Sequence, residues 1–347
     1  MASDLLSKLR AQDAALRTID WALESGRVHH AYLFVGPDGV GKELAAFGLA
    51  QALVCERRGD AANAGPNLFG TVEKPPIRAC GVCSACTRAV PREDTHRPLH
   101  PDVVVLERGL YTAQQIGRST DEKQDISINQ VRTLILARMA FAPHEGRAKV
   151  FIIRRAEELN QQAANALLKT LEEPNARTHF ILLSAQPEAL LPTILSRTQR
   201  IRFAPLPDDL VAELLATQGI EPARANDVAR LAGGSVQNGI HLADPDESEM
   251  RERFVESALA ATTSTSIEAV LALAESAKKE KDRLPDMVAA LASDLARRAG
   301  ESARAGRPDA EALAIRGRFA LNALEHLASN GAAQLVMEAM LMRMRSV

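Results

Sequence analysis

"FVGPDGVGKELAAF", residues 34–47, ends a short apolar run and begins a helix-spaced one, and its reading decides the fold. Gly36, Gly39, Gly41 and Lys42 stand as in a phosphate-binding loop, where glycines let backbone N–H groups and one amine cradle phosphates. Glu43 occupies the place where Ser or Thr would ligate Mg²⁺. A plain Gly-rich turn is the alternative for "GPDGVGK" taken alone. The flanks give the strand–loop–helix setting a cradle needs: "AYLFV" (31–35) reads as a buried strand, and "ELAAFGLAQALVC" (43–55) as a helix with Leu44, Phe47 and Leu53 at apolar positions.

Outward from this loop, strand-like and helix-like segments alternate. "PDVVVLE" (101–107), "KVFII" (149–153), "HFILLSA" (179–185) and "IRF" (201–203) read as further strands. Ser127 with Gln130 predicts a capping box for a helix through "NQVRTLILARMAF". "AANALLKTLEEP" is amphipathic, with Ala164, Leu167, Leu168 and Leu171 on one face and Pro174 as its stop. Such alternation predicts a parallel sheet covered on both faces, an α/β domain over residues 1–204. The stretch from about 55 to 97, rich in Gly, Pro, Ala and charge, reads as an insertion, and the polar stretch 107–125 as a mobile loop. After "PLPDDL" the β-like runs vanish, so the fold class is α/β followed by all-α. Residues 205–246 form a small helical unit, and 247–347 are Ala/Leu-rich helices broken near "AGESARAGRPDAE". Val336, Met337, Met340, Leu341 and Met344 share one stripe, which reads as bundle core or as a subunit-packing face.

Charge narrows the function classes. With 42 Lys+Arg against 44 Asp+Glu, no global basic field draws nucleic acid, and 3% aromatic content argues against a base-stacking platform. The first thirty residues lack a continuous apolar segment and nowhere do 18 apolar residues run together, so a cytoplasmic protein is expected. In a reducing cytosol, Cys80, Cys83 and Cys86 in "ACGVCSAC", with Cys55 closing the helix after the loop, suit a tetrahedral Cys₄ site for structural zinc. An iron–sulfur cluster and unliganded thiols are the rival readings.

Hydrolysis needs a second group of residues. In phosphate-loop NTPases an apolar strand delivers an Asp that holds Mg²⁺. The candidate strand, "KVFII", is followed instead by Arg154 and Arg155, and Glu157 and Glu158 lie past the strand end, where they are expected to point elsewhere. Together with Glu43, these departures predict a degenerate ATPase site, with nucleotide binding weak or absent.

"HHAYLFVGPDGVGK", the cysteine insertion, "AANALLKTLEEP" and "LPTILSRTQRIRF" together resemble the delta-prime subunits of the bacterial DNA polymerase III clamp loader, over residues 1 to about 205 and more loosely beyond. The resemblance implies an AAA+ type fold with a helical lid (205–246) and a C-terminal collar domain (247–347). It also implies a place in a five-subunit ring with delta and gamma/tau subunits, which loads a sliding clamp onto primed DNA and takes ATP through neighbouring subunits. The family's Ser-Arg-Cys motif maps onto Ser196-Arg197-Thr198, which makes Arg197 an arginine finger offered in trans, with a surface ion pair as its bland reading. Gln237 stands where active relatives carry an Arg that senses their own nucleotide. Arg200 and Arg202 read as solvated strand-edge charges. The alternatives are a catalytically active gamma/tau-type ATPase, which would need an acidic pair after "KVFII", and a zinc-dependent DNA-binding protein, which the near-neutral charge disfavours.

Overall fold

Five apolar segments become strands: β1 Ala31–Val35, β2 Val103–Leu106, β3 Lys149–Ile153, β4 Thr178–Ser184 and β5 Gln199–Arg202. The structure is a computed structural model that describes residues 4–57, 78–116, 125–145, 147–263, 266–280, 283–328 and 331–347. Parts of two expected segments, residues 58–77 of the insertion and 117–124 of the polar loop, lie outside the described residues. The strands pair in parallel in the order β2-β3-β4-β1-β5. The inner strands are buried nearly throughout, as the uninterrupted apolar runs require when helices cover both faces.

Register explains where chemistry can occur. Val35 lies opposite Ser184 and Arg202, and Ile153 lies opposite Leu182 and Leu106. The carboxyl ends of β1, β3 and β4 therefore open along one rim, the place where parallel sheets present ligand sites. Leu33, Phe151, Phe180, Leu182 and Ile153 fill the core beneath it, with the Phe151 and Phe180 rings 5.2 Å apart.

The helices follow the expected segments, shifted at their ends. The helix after the phosphate loop runs Lys42–Val54, and the amphipathic one Gln161–Glu172 buries Ala164, Leu167 and Leu171. Ser127 and Gln130 form the expected reciprocal capping box, but the turns after it widen to π geometry over Val131–Leu136. Past β5, the described chain separates into two compact units, Met1–Ile240 and His241–Val347. The second is a bundle of helices Pro245–Thr263, Glu268–Lys279, Leu284–Arg304, Ala310–Ala328 and Ala333–Arg345. Met337, Met340, Leu341 and Met344 are buried there among Val270, Leu284, Val288, Leu291 and Leu295, so the methionine stripe is core. Among the described residues no helix is long and apolar enough to cross a membrane.

Candidate nucleotide cradle and metal centre

The loop between β1 and the helix Lys42–Val54 is built on glycine where nothing else fits. Gly39 and Gly41 take φ of 73° and 102°. A Cβ on Gly36 would strike the Phe203 carbonyl, one on Gly39 would strike the backbone of Gln237, and one on Gly41 would approach Leu9 Cδ1 to 2.7 Å. Gln237, at the start of the helix Val236–Ala243, thus sits directly on the loop. Lys42 is 6% exposed, and its ammonium donates to the carbonyl of Gly36, to that of Pro37 at 2.6 Å and to Asp38 Oδ1 at 3.2 Å. Burial lowers its pKa, and the charge of Asp38 pulls it back up. The amine is fully engaged by its own loop.

Beside the loop, the first residue after β3 is the centre of an ion triad. Arg154 is 9% exposed, and its guanidinium donates to Glu43 and, at 2.6 Å, to Glu107 Oε2, with its carbon 5.6 Å above the Phe47 ring. Among the described residues its Nε has no hydrogen-bond partner. A cation fixed to the protein therefore stands between the residue at the Mg²⁺-ligand position and a carboxylate from the end of β2. The expectation that Glu157 points elsewhere does not hold. Arg155 adopts a left-handed φ of 46° at the head of the short turn Ala156–Glu158. Glu157 then accepts from the Ala185 amide at 3.3 Å, and its charge acts on Lys42. Arg155 itself is exposed and reaches toward Asp38 at 3.7 Å.

The four cysteines come together on the far end of the helix Lys42–Val54. All four Sγ atoms lie within 4.8 Å of one another, with Cys55 to Cys83 at 4.0 Å and Cys80 to Cys86 at 3.9 Å. Thiolates about 2.3 Å from one tetrahedral ion would stand about 3.8 Å apart, so the donor set fits such an ion. Its chemistry agrees. A hydrogen bond from Cys86, helped by the Cys80 amide, brings the Cys55 thiol down to about 4, while the same contact and burial push the Cys86 thiol up. Without a cation, one sulfur's gain is its neighbour's loss, because thiolate pairs this close repel by about 4 kcal/mol each at an effective dielectric of 20. A divalent ion removes the conflict. Backbone amides of Cys80 and Cys83 point at Cys55 and Cys80 sulfurs at 3.4 Å, as knuckle turns do around a metal.

Arg197 lies elsewhere, after the helix Pro192–Leu195, on the wall of a cavity of about 480 Å³ shared with His29, His30 and Glu172. Its Nη2 pairs with Glu172 Oε1 at 2.6 Å, and its Nη1 donates to the Thr193 carbonyl and Ser196 Oγ. Arg200 and Arg202 are exposed on the edge strand β5.

Three residues that motif reading passed over hold these sites in place. Gln12 is 5% exposed and exchanges hydrogen bonds with both backbone groups of Ala204 while donating to Val40 of the phosphate loop. Gln51 is fully buried and links the Leu5 amide to the Cys86 carbonyl, tying the chain's start to the cysteine knuckle. Glu107 completes the Arg154 triad. A buried glutamine within an apolar helix was the one signal available, at Gln51.

The strand order, glycine loop and rim site together define an AAA+ type phosphate-loop fold followed by helices. Residues 11–207 match the family described as DNA polymerase III, delta subunit, and the chain belongs to that family. The DNA polymerase III subunit delta' of Pseudomonas aeruginosa is 35% identical over 241 residues, covering 68% of this chain and 63% of that protein. The gamma/tau subunit of Mycobacterium tuberculosis is 32% identical over 239 residues, which cover 67% of this chain and 35% of that one. The matched part thus spans less than two thirds of either relative's length. A gamma subunit-related protein of Thermotoga maritima aligns over 95% of this chain and 98% of its own at 16% identity and a TM-score of 0.46, too weak a likeness to argue from.

Proposed function

We propose that this chain is a delta-prime-type, non-hydrolysing subunit of a cytoplasmic replicative clamp loader. In this reading it works in a five-subunit ring with gamma/tau and delta subunits to place a sliding clamp on primed DNA, with residues 205–246 as lid and 247–347 as collar. The observation that carries the non-hydrolysing part is Arg154. Its guanidinium lies against Glu43 and Glu107, so a fixed cation already occupies the space between the two carboxylates that would attract Mg²⁺. Phosphoryl transfer relies on that metal and on a positioned base to manage charge. Lys42, Gly36, Gly39 and Gly41 keep the form of a cradle, but the amine's hydrogen bonds are spent within it, which supports weak or absent nucleotide binding.

Arg197 is the residue that would act, on a neighbour's nucleotide. Its pair with Glu172 joins a side chain 34% exposed to one 47% exposed, and such pairs contribute about 0–1 kcal/mol. A γ-phosphoryl group presented by an adjacent subunit would outcompete that carboxylate, because a planar guanidinium fork matches two phosphate oxygens. Cys55, Cys80, Cys83 and Cys86 would hold structural zinc. Their close packing favours one ion over a four-iron cluster, in which each thiolate sits on a separate iron and stands further from the others.

The test is ATP turnover by the purified chain alone, followed by native mass measurement after mixing with delta and gamma/tau subunits. Background turnover and a mixed ring are expected. Robust turnover abolished by Lys42→Ala would instead establish a gamma/tau-type motor, and a monomer at every concentration would refute the clamp-loader role.

A further inference from the structure

Between the cysteine module and the edge strand β2 lies a second cavity, of about 320 Å³, that neither the phosphate loop nor Arg197 shares. Its floor is β2, which the strand order places at the sheet's edge. Its walls include Leu99, Tyr111, Arg92, Arg97 and Arg138. Tyr111 is anchored by its hydroxyl, which donates to the Val105 carbonyl at 2.8 Å, and the Arg97 guanidinium carbon lies 4.9 Å from the ring centre. This contact holds the guanidinium at the cavity wall, and a guanidinium carries five N–H donors with which to meet phosphate oxygens.

The charges around the cavity do not balance. Arg92 is paired with Asp94 at 2.8 Å, whereas among the described residues neither Arg97 nor Arg138 has a carboxylate within ion-pair distance. Arg138 makes one long bond, 3.5 Å, to the carbonyl of Leu134. Arg97, Arg138 and Tyr111 all line this one cavity. Outside the cavity's arginines, Glu145 pairs with Arg88, and Glu43 and Glu107 pair with Arg154.

We propose that this cavity binds a phosphate monoester, with Arg97 and Arg138 on the dianionic head and Leu99 and Tyr111 against the body it carries. Two uncompensated guanidiniums match the two charges of a monoester at neutral pH, whereas a nucleic-acid diester brings one. The volume lies in the range of small-ligand pockets and exceeds what a bare ion fills.

The probe is phenyl phosphate, which has an apolar body and no nucleoside for the phosphate loop, titrated calorimetrically into the full chain at low ionic strength. Wild-type protein is expected to bind it, with Arg97→Gln and Arg138→Gln each weakening binding at least about 10-fold, the value of one charge-assisted hydrogen bond. Lys42→Ala and Arg200→Gln should keep wild-type affinity. An oligonucleotide lacking terminal phosphate should not compete. In unaltered protein, the ring NMR signals of Tyr111, one of two tyrosines, should move on titration, a readout independent of any variant. Absence of binding, binding that survives both arginine changes, loss on Lys42→Ala, a silent Tyr111 ring, or equal competition by the oligonucleotide would each overturn the proposal.

Discussion

The phosphate loop and the cysteine knuckle sit at opposite ends of one helix, Lys42–Val54, and they resolve the same problem in opposite ways. At the loop end, Glu43 and Glu107 converge, and the chain supplies its own cation, Arg154. At the knuckle end, four sulfurs lie within 4.8 Å of one another, and an added ion would make all four thiolates compatible. The two ends differ in local charge balance: one carries its own arginine between two carboxylates, and the other gathers four thiols that an ion would reconcile.

Metal removal should give the largest effect. One zinc per chain is expected from elemental analysis of protein purified without added metal, and iron or no metal would break the comparison at its knuckle end. Structural zinc binding in small fingers amounts to about 10–16 kcal/mol, so chelation or Cys83→Ser should release the knuckle. Limited proteolysis should then cut near residues 78–97 while the α/β core stays protected, because Leu33, Phe151 and Phe180 pack without the sulfurs.

The loop end can be tested by removing the cation. Arg154→Ala would leave Glu43 and Glu107 facing each other, and urea denaturation should show a loss of about 1–3 kcal/mol. That is less than for a fully buried pair, since Glu43 is half exposed. Turnover should not appear, as Glu43 still lacks a hydroxyl. The sharper variant is Glu43→Thr with Arg154→Asp, expected to create Mg²⁺-dependent ATP affinity measurable by fluorescent nucleotide titration. If the double variant binds no more metal-nucleotide than wild type, the guanidinium is not what closes the site.

Arg197→Ala should leave stability within about 0.5 kcal/mol, because it breaks only an exposed pair. In a reconstituted ring it should lower clamp- and DNA-stimulated ATP hydrolysis several-fold. That falls far short of the about 10³–10⁵ attributed to a sole arginine finger, since the other ATP sites keep theirs. Arg197→Lys should behave like alanine, and Arg200→Ala like wild type. Unchanged hydrolysis and loading by the Arg197→Ala ring would reduce Arg197 to a surface ion pair.

The smallest effect concerns pH. Burial lowers the pKa of His100, which accepts from the Asp102 amide and lies beside Glu145, itself paired with Arg88 of the cysteine helix Ser84–Ala89. A depressed histidine binds fewer protons folded than unfolded, so its contribution is complete above the unfolded value of about 6.5 and is lost as pH falls from there toward the folded value. Urea midpoints at pH 7.5 and 5.5, with metal content checked at each, should show this loss, and His100→Gln should flatten the slope.

Much of this was legible in the residues. Uninterrupted runs such as "KVFII" announce buried parallel strands, and three x₂-spaced cysteines announce a cluster of sulfurs, because both depend on local spacing. The π-turns over Val131–Leu136 were hidden, since the apolar pattern there serves either helix type. Glu157 was misread because its direction depends on a left-handed arginine, Arg155, and no propensity predicts a positive φ there.

The sequence by itself determined the alternation of strands and helices, the glycines that only a tight loop can use, and the thiols that a single ion can gather. Only the tertiary structure decided that Arg154 reaches both Glu43 and Glu107, that Lys42 turns into its own loop, that Gln237 rests on Gly39, and that Arg97 and Arg138 share a cavity. The reason is distance along the chain: Arg154 and Glu43 are 111 residues apart, and a pair so separated meets only where the register of a parallel sheet brings strand ends to a common rim.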